Sequence, residues 1–443
     1  MKKIISALTL GAMVAGAAFA DVSINLNFRQ RANLFASSSE YTKLDKSEVK
    51  ATKQAFFTDA YSGSGSDNLA ISMSGDIVSF DMQWVADASK TAEWRAKGLN
   101  ASVFLGPVTV FGGLWADGKQ NGAYRNKVLI DAGNFEGMDF EWHKIGSGFK
   151  NVPDNWIDNM VGAFGNLPEN YAAGVTYKVP VDNGALSLNA AYITNEKSST
   201  KNASIAWNNK GRGHTFSFVA DGRIDGVASA ELAVKYGDWI NPNKDKEVVP
   251  AIGAGLYVQP VTIKNLFTTI GGSIGMVDGN FEDYSAELRL HYVVKPNKFT
   301  VTSFHSFQAL TDAENFKKDY SGSNDTIRTL ADVETSATNG GLNGKFVINR
   351  DQILSNNLGL RYFVTPNLAV TGIVADFIGM GDNMGEKVDD MIMQLRCSAW
   401  AQFYADKNNS IAIGFVYAIN DVTDKFGVNC TTMGIPVIFR VKM

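Results

Sequence analysis

Apolar and polar residues alternate with a period of two along most of this chain, and the alternation is cleanest at its end. Met433, Ile435, Val437, Phe439, Val441 and Met443 take every second position, with Arg440 and Lys442 between them. An extended strand turns successive side chains to opposite faces, so this segment has one apolar face and one basic face. Near the start, Val22, Ile24, Leu26 and Phe28 share one face, and Ser23, Asn25, Asn27, Arg29 and Arg31 share the other. The same grammar recurs in Val78–Trp84, Leu99–Leu105, Val108–Leu114, Tyr171–Val179, Leu186–Tyr192, Ala286–Tyr292, Leu358–Val364, Leu395–Phe403 and Ile411–Ile419.

The runs are joined in hairpin fashion by Gly106-Pro107, Asp182-Asn-Gly184, Lys295-Pro-Asn297, Thr365-Pro-Asn367 and Asp406-Lys-Asn-Asn409. Such residues make tight turns between antiparallel strands. At the other strand ends the pattern predicts long connections, over 36–67, 116–170, 310–353 and 378–390. The segment 194–213 reads either as a strand or as part of a loop. An apolar strand that ends a chain leaves an edge open to aggregation unless a barrel closes over it. Together these features predict an all-β fold: a transmembrane antiparallel β-barrel of about 16–18 strands, with short periplasmic turns and long extracellular loops. A propeller or sandwich would space its turns more evenly.

The remaining features adjust this picture. Lys2 and Lys3, an apolar stretch over 4–17 and Ala18-Phe-Ala20 have the form of an export signal. Residues 1–20 are therefore expected to be a signal peptide and 21–443 a single barrel domain. No later stretch reaches the ~18 apolar residues of a membrane helix. The net charge is −4, or −6 without Lys2 and Lys3 (39 basic against 45 acidic residues), which offers no basic footprint for nucleic acid. Two cysteines, Cys397 and Cys430, do not make a disulfide-built scaffold, and the pattern leaves their pairing open. Four scattered histidines show no ligand spacing, so no metal and no cofactor is expected. No nucleophile motif of the G-x-S-x-G type occurs, and no catalytic activity is expected.

The signal, the alternating strands, the Pro/Asn turns and the closing strand resemble those of a bacterial outer-membrane porin. The final residue, Met443, departs from the aromatic usual in that family. The resemblance implies a water-filled channel for passive diffusion of ions and small hydrophilic solutes. It also implies residence in the outer membrane, insertion by the barrel-assembly machinery, a homotrimer, and a loop folded into the lumen. Two other functions remain open: a surface-exposed adhesin or binding protein that uses its long loops, and a substrate-specific barrel transporter.

If the apolar parity meets lipid, the opposite parity lists the lumen. Arg29, Arg31, Lys178, Lys235, Arg289, Arg361, Arg396, Arg440 and Lys442 fall there, with Asp81, Glu231 and Glu287. Nine basic positions against three acidic ones predict a weak anion preference. The constriction-loop candidate is 116–170, which combines Asp131, Glu136, Asp139, Glu141, Asp154 and Asp158 with Trp142, Trp156 and Phe164. Tyr171, Tyr177, Tyr192, Tyr292, Tyr362, Phe403 and Tyr417, near strand ends on the apolar parity, are expected to form aromatic girdles at the two interfaces.

Overall fold

The computed structural model describes residues 21–44, 47–59, 68–87, 93–115, 170–194, 214–241, 247–261, 263–277, 279–310, 352–381, 392–406, 408–422 and 428–442. Every regular element among them is a strand. The first seven are β1 (Asp21–Leu44), β2 (Ser47–Asp59), β3 (Asn68–Ser74), β4 (Val78–Asp87), β5 (Glu93–Leu105), β6 (Val108–Trp115) and β7 (Asn170–Val179). The next six are β8 (Gly184–Thr194), β9 (His214–Ile224), β10 (Ala228–Asn241), β11 (Glu247–Pro260), β12 (Leu266–Val277) and β13 (Asn280–Lys295). The last six are β14 (Phe299–Leu310), β15 (Gln352–Thr365), β16 (Leu368–Met380), β17 (Ile392–Tyr404), β18 (Ser410–Val422) and β19 (Val428–Lys442).

All nineteen belong to one antiparallel sheet, and the sheet closes, because β1 pairs with β19. Asn27–Thr42 run against Lys442–Val428, with Phe28 opposite Val441 and Arg29 opposite Arg440. The register skips a residue between Asn33 and Phe35, a bulge of the kind that lets a strand bend around a barrel. On its other side β1 meets two strands end to end. Asp21–Asn27 pair with Ser74–Asn68 of β3, and Ala32–Leu44 pair with Asp59–Ser47 of β2. β2 and β3 thus share one place in the wall. The nineteen described strands fill eighteen positions, an even number that brings β1 and β19 to the same rim.

The expected hairpins all lie on that rim. β5 and β6 turn at Gly106 and Pro107, β15 and β16 at Pro366 and Asn367. Asn297 takes a left-handed backbone (φ 55°), which asparagine tolerates better than most residues. Asp406 folds its turn through its own carboxylate, which accepts from the backbone N–H of Asn408 (2.7 Å) and Asn409 (2.9 Å). On the opposite rim the described residues depart from the expectation. Most of 36–67 is not a connection: β1 runs on to Leu44 and β2 covers Ser47–Asp59. Ser37, Ser38 and Ser39 gave that stretch a loop-like composition, but ladder pairing on both sides of β1 keeps it extended. The far rim also has close connections, such as Val277 to Asn280 between β12 and β13. Residues 1–20, 116–169 and 195–213, where the signal, the constriction loop and the ambiguous strand were placed, lie outside the described residues.

The two faces of the wall separate by parity. On one, Ile274, Leu358, Ile413 and Phe439 are 45 to 46% exposed. On the other, Ile438 is fully buried, and Trp400 and His291 are each 3% exposed. Exposed tyrosines and phenylalanines of the first face stand near the hairpin rim (Tyr177, Tyr292, Tyr362, Phe403). Toward the other rim the rings of Tyr192 and Phe216 lie 5.4 Å apart, and those of Tyr284 and Phe307 lie 6.0 Å apart. A closed barrel whose exposed face is apolar is a surface made for hydrocarbon, since its strands pair with one another all the way round and leave no open edge. No helix among the described residues is long and apolar enough to cross a membrane.

Candidate functional site

The inner face of the wall is the candidate site. The six arginines expected in the lumen hold strand positions in one sector of the wall. Arg289 is on β13, Arg361 on β15, Arg396 on β17, Arg440 on β19, and Arg29 and Arg31 on β1. These strands follow one another around the sheet, each separated from the next by a single strand except where β19 meets β1 directly. Arg29 and Arg440 occupy directly opposed positions across the closing seam, and Ser410 of β18 opposes Arg440 on its other side. Lys442, one pair nearer the hairpin rim on the same parity, opposes Asn27. Of the three acids read from sequence, Asp81 is on β4, Glu231 on β10 and Glu287 on β13. Lys178 and Lys235 lie on β7 and β10.

Arg361 shows how the wall holds a cation. Its guanidinium lies over the Phe363 ring, 4.5 Å from the centroid, and 5.4 Å from the centroid of Tyr404. It also donates a hydrogen bond to the Tyr404 hydroxyl. That hydroxyl donates to Gln402 Oε1 at 2.7 Å, and Gln402 Nε2 donates to Ser410 Oγ at 3.1 Å. The chain of contacts crosses from β15 to β18 near the hairpin rim. It is legible as geometry: Arg361 and Phe363 are two residues apart on one face, as are Gln402 and Tyr404. Stacking on two rings restrains a side chain that would otherwise sample many rotamers, and the cation–π contacts contribute about 0.5–1 kcal/mol each.

His291, also inward, has its Nδ1 2.7 Å from the Thr302 hydroxyl, within hydrogen-bond reach, and its ring 5.9 Å from that of Phe267. Among the described residues no group of three or more His, Cys, Asp or Glu is placed to hold a metal ion.

Two features were missed from sequence. Asp221 of β9 opposes Glu231 in register and so joins the inner acids. β9 is absent from the runs read from sequence, and buried Val219, an apolar residue on the inner parity, interrupts its alternation. The inner face also carries more apolar surface than expected: Phe111, Ile373, Trp400 and Ile438 are all buried there. Trp400 is opposed by Gly414, and a Cβ at Gly414 would come within 2.5 Å of the indole ring. Glycine thus lets the indole lie flat against the neighbouring strand. Gly414→Ala is expected to cost about 1–3 kcal/mol by overpacking. Urea titration of the barrel measures this, and adding Trp400→Ala should recover part of the loss if the clash with the ring is the cause.

No protein-family model matches this chain, and no curated relative does. Its structure is similar to that of Pseudomonas aeruginosa OpdL at 10% identity, covering 96% of this chain and 99% of that one with a TM-score of 0.47. It is similar to Acinetobacter baumannii OccAB4 at 9% identity, 95% and 98% coverage and a TM-score of 0.46. A third likeness is to an anion-selective porin from Comamonas acidovorans, at 10% identity, 95% and 100% coverage and a TM-score of 0.41. The barrel described above rests on the register of this chain's own strands.

Proposed function

We propose that this chain is a bacterial outer-membrane porin, a water-filled channel for passive diffusion of ions and small hydrophilic solutes with a weak anion preference. Residues 1–20 would direct export and be removed. Residues 21–443 would be inserted by the barrel-assembly machinery and assemble as a homotrimer. The observation that carries the reading is a closed wall of eighteen described positions with an apolar exposed face, and the clustering of the six arginine positions on neighbouring strands supports the anion preference. Barrels of 16–18 strands are wide enough for an aqueous channel. In this reading Arg29, Arg31, Asp81, Lys178, Glu231, Lys235, Glu287, Arg289, Arg361, Arg396 and Arg440 line the pathway. Carboxylates of 116–170 (Asp131, Glu136, Asp139, Glu141, Asp154, Asp158) would narrow it.

The test is recording from purified protein in a planar bilayer. Stepwise conductance is expected, with a reversal potential of anion-selective sign across a potassium chloride gradient. Absence of conductance in protein shown to be folded would overturn the pore. Clear cation selectivity would overturn the wall-charge part of the reading and leave the pore standing.

A further inference from the structure

The lipid-facing parity is mostly apolar along strand after strand, with scattered single polar residues such as Thr268 and Ser303, and on β14–β16 it carries a connected polar group. On β14–β16 three polar side chains stand side by side in one register row: His305 opposes Asn356, and Asn356 opposes Asp376. They are joined to one another. His305 Nδ1 lies 2.8 Å from Asn356 Oδ1, and Asn356 Nδ2 donates to Asp376 Oδ2 at 2.9 Å. Parity puts all three on the outside. His305 opposes Leu288, in line with Tyr292, which is 42% exposed. Asn356 is in line with exposed Leu358 and Leu360, and Asp376 with exposed Val374 and Val370.

The row is an island, not the end of the apolar belt. Toward the far rim the next outward row is Phe307, Leu354, Ile378 and Met393, and toward the hairpin rim Ser303, Leu358, Val374 and Cys397 follow, apolar but for the one serine. Asn356 lies six residues from the rim-side Tyr362, about 20 Å along the strand and about 15 Å in height for a strand tilted 35–45°, inside an apolar band about 25 Å tall. Hydrocarbon at that depth offers no polar partner to the two ends of the row.

We propose that the outward face of β14–β16 is a contact between copies of this chain, in which the His305 end of one row meets the Asp376 end of the next. The proposal rests on the membrane-spanning reading above and gives its homotrimer a specific interface. Identical barrels in one membrane share an orientation and are related by an axis along the membrane normal, so their rows lie at equal depth. A head-to-tail contact repeated by rotation closes a ring. The two ends of the row are complementary, an imidazole at one and a carboxylate at the other. Beside the row, Gly372 opposes Ala399, and a Cβ on Gly372 would meet nothing within 4 Å. That shallow place on the outer surface lets another backbone approach closely.

Cysteines at both ends test the contact: His305→Cys with Asp376→Cys, in a chain carrying Cys397→Ser and Cys430→Ser. Within one chain β15 separates the two sites by roughly 9–10 Å, beyond the ~7 Å that a disulfide spans. Oxidation in native outer membranes is expected to give a ladder of covalent multiples on non-reducing denaturing gels, absent from either single-cysteine chain. An oligomer by sedimentation that forms no ladder would overturn this face while leaving the assembly intact. A protein that sediments only as a monomer would overturn both, and conductance would still decide the pore separately. Cross-linking only to a different protein would overturn the choice of a second copy. Asn356→Leu with Asp376→Leu should raise the dissociation constant of the oligomer about tenfold or more. A row facing only lipid would leave that constant unchanged.

Discussion

A Val437→Arg variant is expected to reach the outer membrane at a small fraction of the normal level and to lose heat resistance. Val437 opposes Ile413 on one side and Ala32 on the other, on the outward parity of the strands that close the barrel. It lies five residues from the end of β19, about 16 Å along the strand, which puts it well inside the apolar band. An arginine at such a depth costs about 2–4 kcal/mol, falling to about 0–1 kcal/mol at the interface. The cost falls on the pair β1–β19, whose formation converts an open sheet with two exposed edges into a barrel with none. Phe439→Arg, nearer the hairpin rim, should be milder. Surface labelling and the shift of the folded band on unheated gels measure both. Equal, normal levels of the two variants would contradict the outward parity of β19.

Alanine in place of the sector arginines is expected to move the reversal potential toward cations. A unit charge about 7 Å from a permeating ion in a water-like medium is worth about 0.6 kcal/mol, and screening at 0.1 M salt roughly halves it. Each arginine near the narrowest point favours the anion and disfavours the cation by that amount, so it changes the local anion-to-cation ratio about threefold, and the effects multiply while the sites act independently. Arg29→Ala with Arg440→Ala, opposed across the seam, should therefore shift selectivity about sevenfold by the same Coulomb estimate, and by less at 1 M salt. Arg361→Ala has a second consequence. It removes the cation between Phe363 and Tyr404 and the donor to the Tyr404 hydroxyl, so it should also broaden conductance fluctuations. Arg361→Lys separates the two effects: it keeps the charge but loses the planar group that stacks. An unchanged reversal potential in the double alanine variant would mean that these charges do not face the path of the ions.

The alternation of Val22–Phe28, Leu358–Val364 and Met433–Met443 by itself determined the strand class, the two faces and the closing seam. A period of two is a local property: whether a side chain points out or in depends only on the count along its own strand. The hairpins were equally legible at Gly106-Pro107, Pro366-Asn367 and Asp406–Asn409, because turn chemistry is carried by the turn residues themselves. Pairing across strands decided the rest. The serines of 36–67 suggested a connection until β19 and β2 took up the hydrogen bonds of β1 on both sides. The same pairing placed β2 and β3 end to end, which is why nineteen strands make eighteen wall positions. Asp221 and Trp400 acquired their inner positions from register against Glu231 and Gly414, since an apolar residue on the inner parity or a polar one on the outer carries no label in the sequence. His305, Asn356 and Asp376 are 51 and 20 residues apart in sequence and look unrelated there. Only the stacking of β14, β15 and β16 brings them into one row, because neighbours in a sheet are set by the lengths of the intervening strands and connections and not by any signal at the residues themselves.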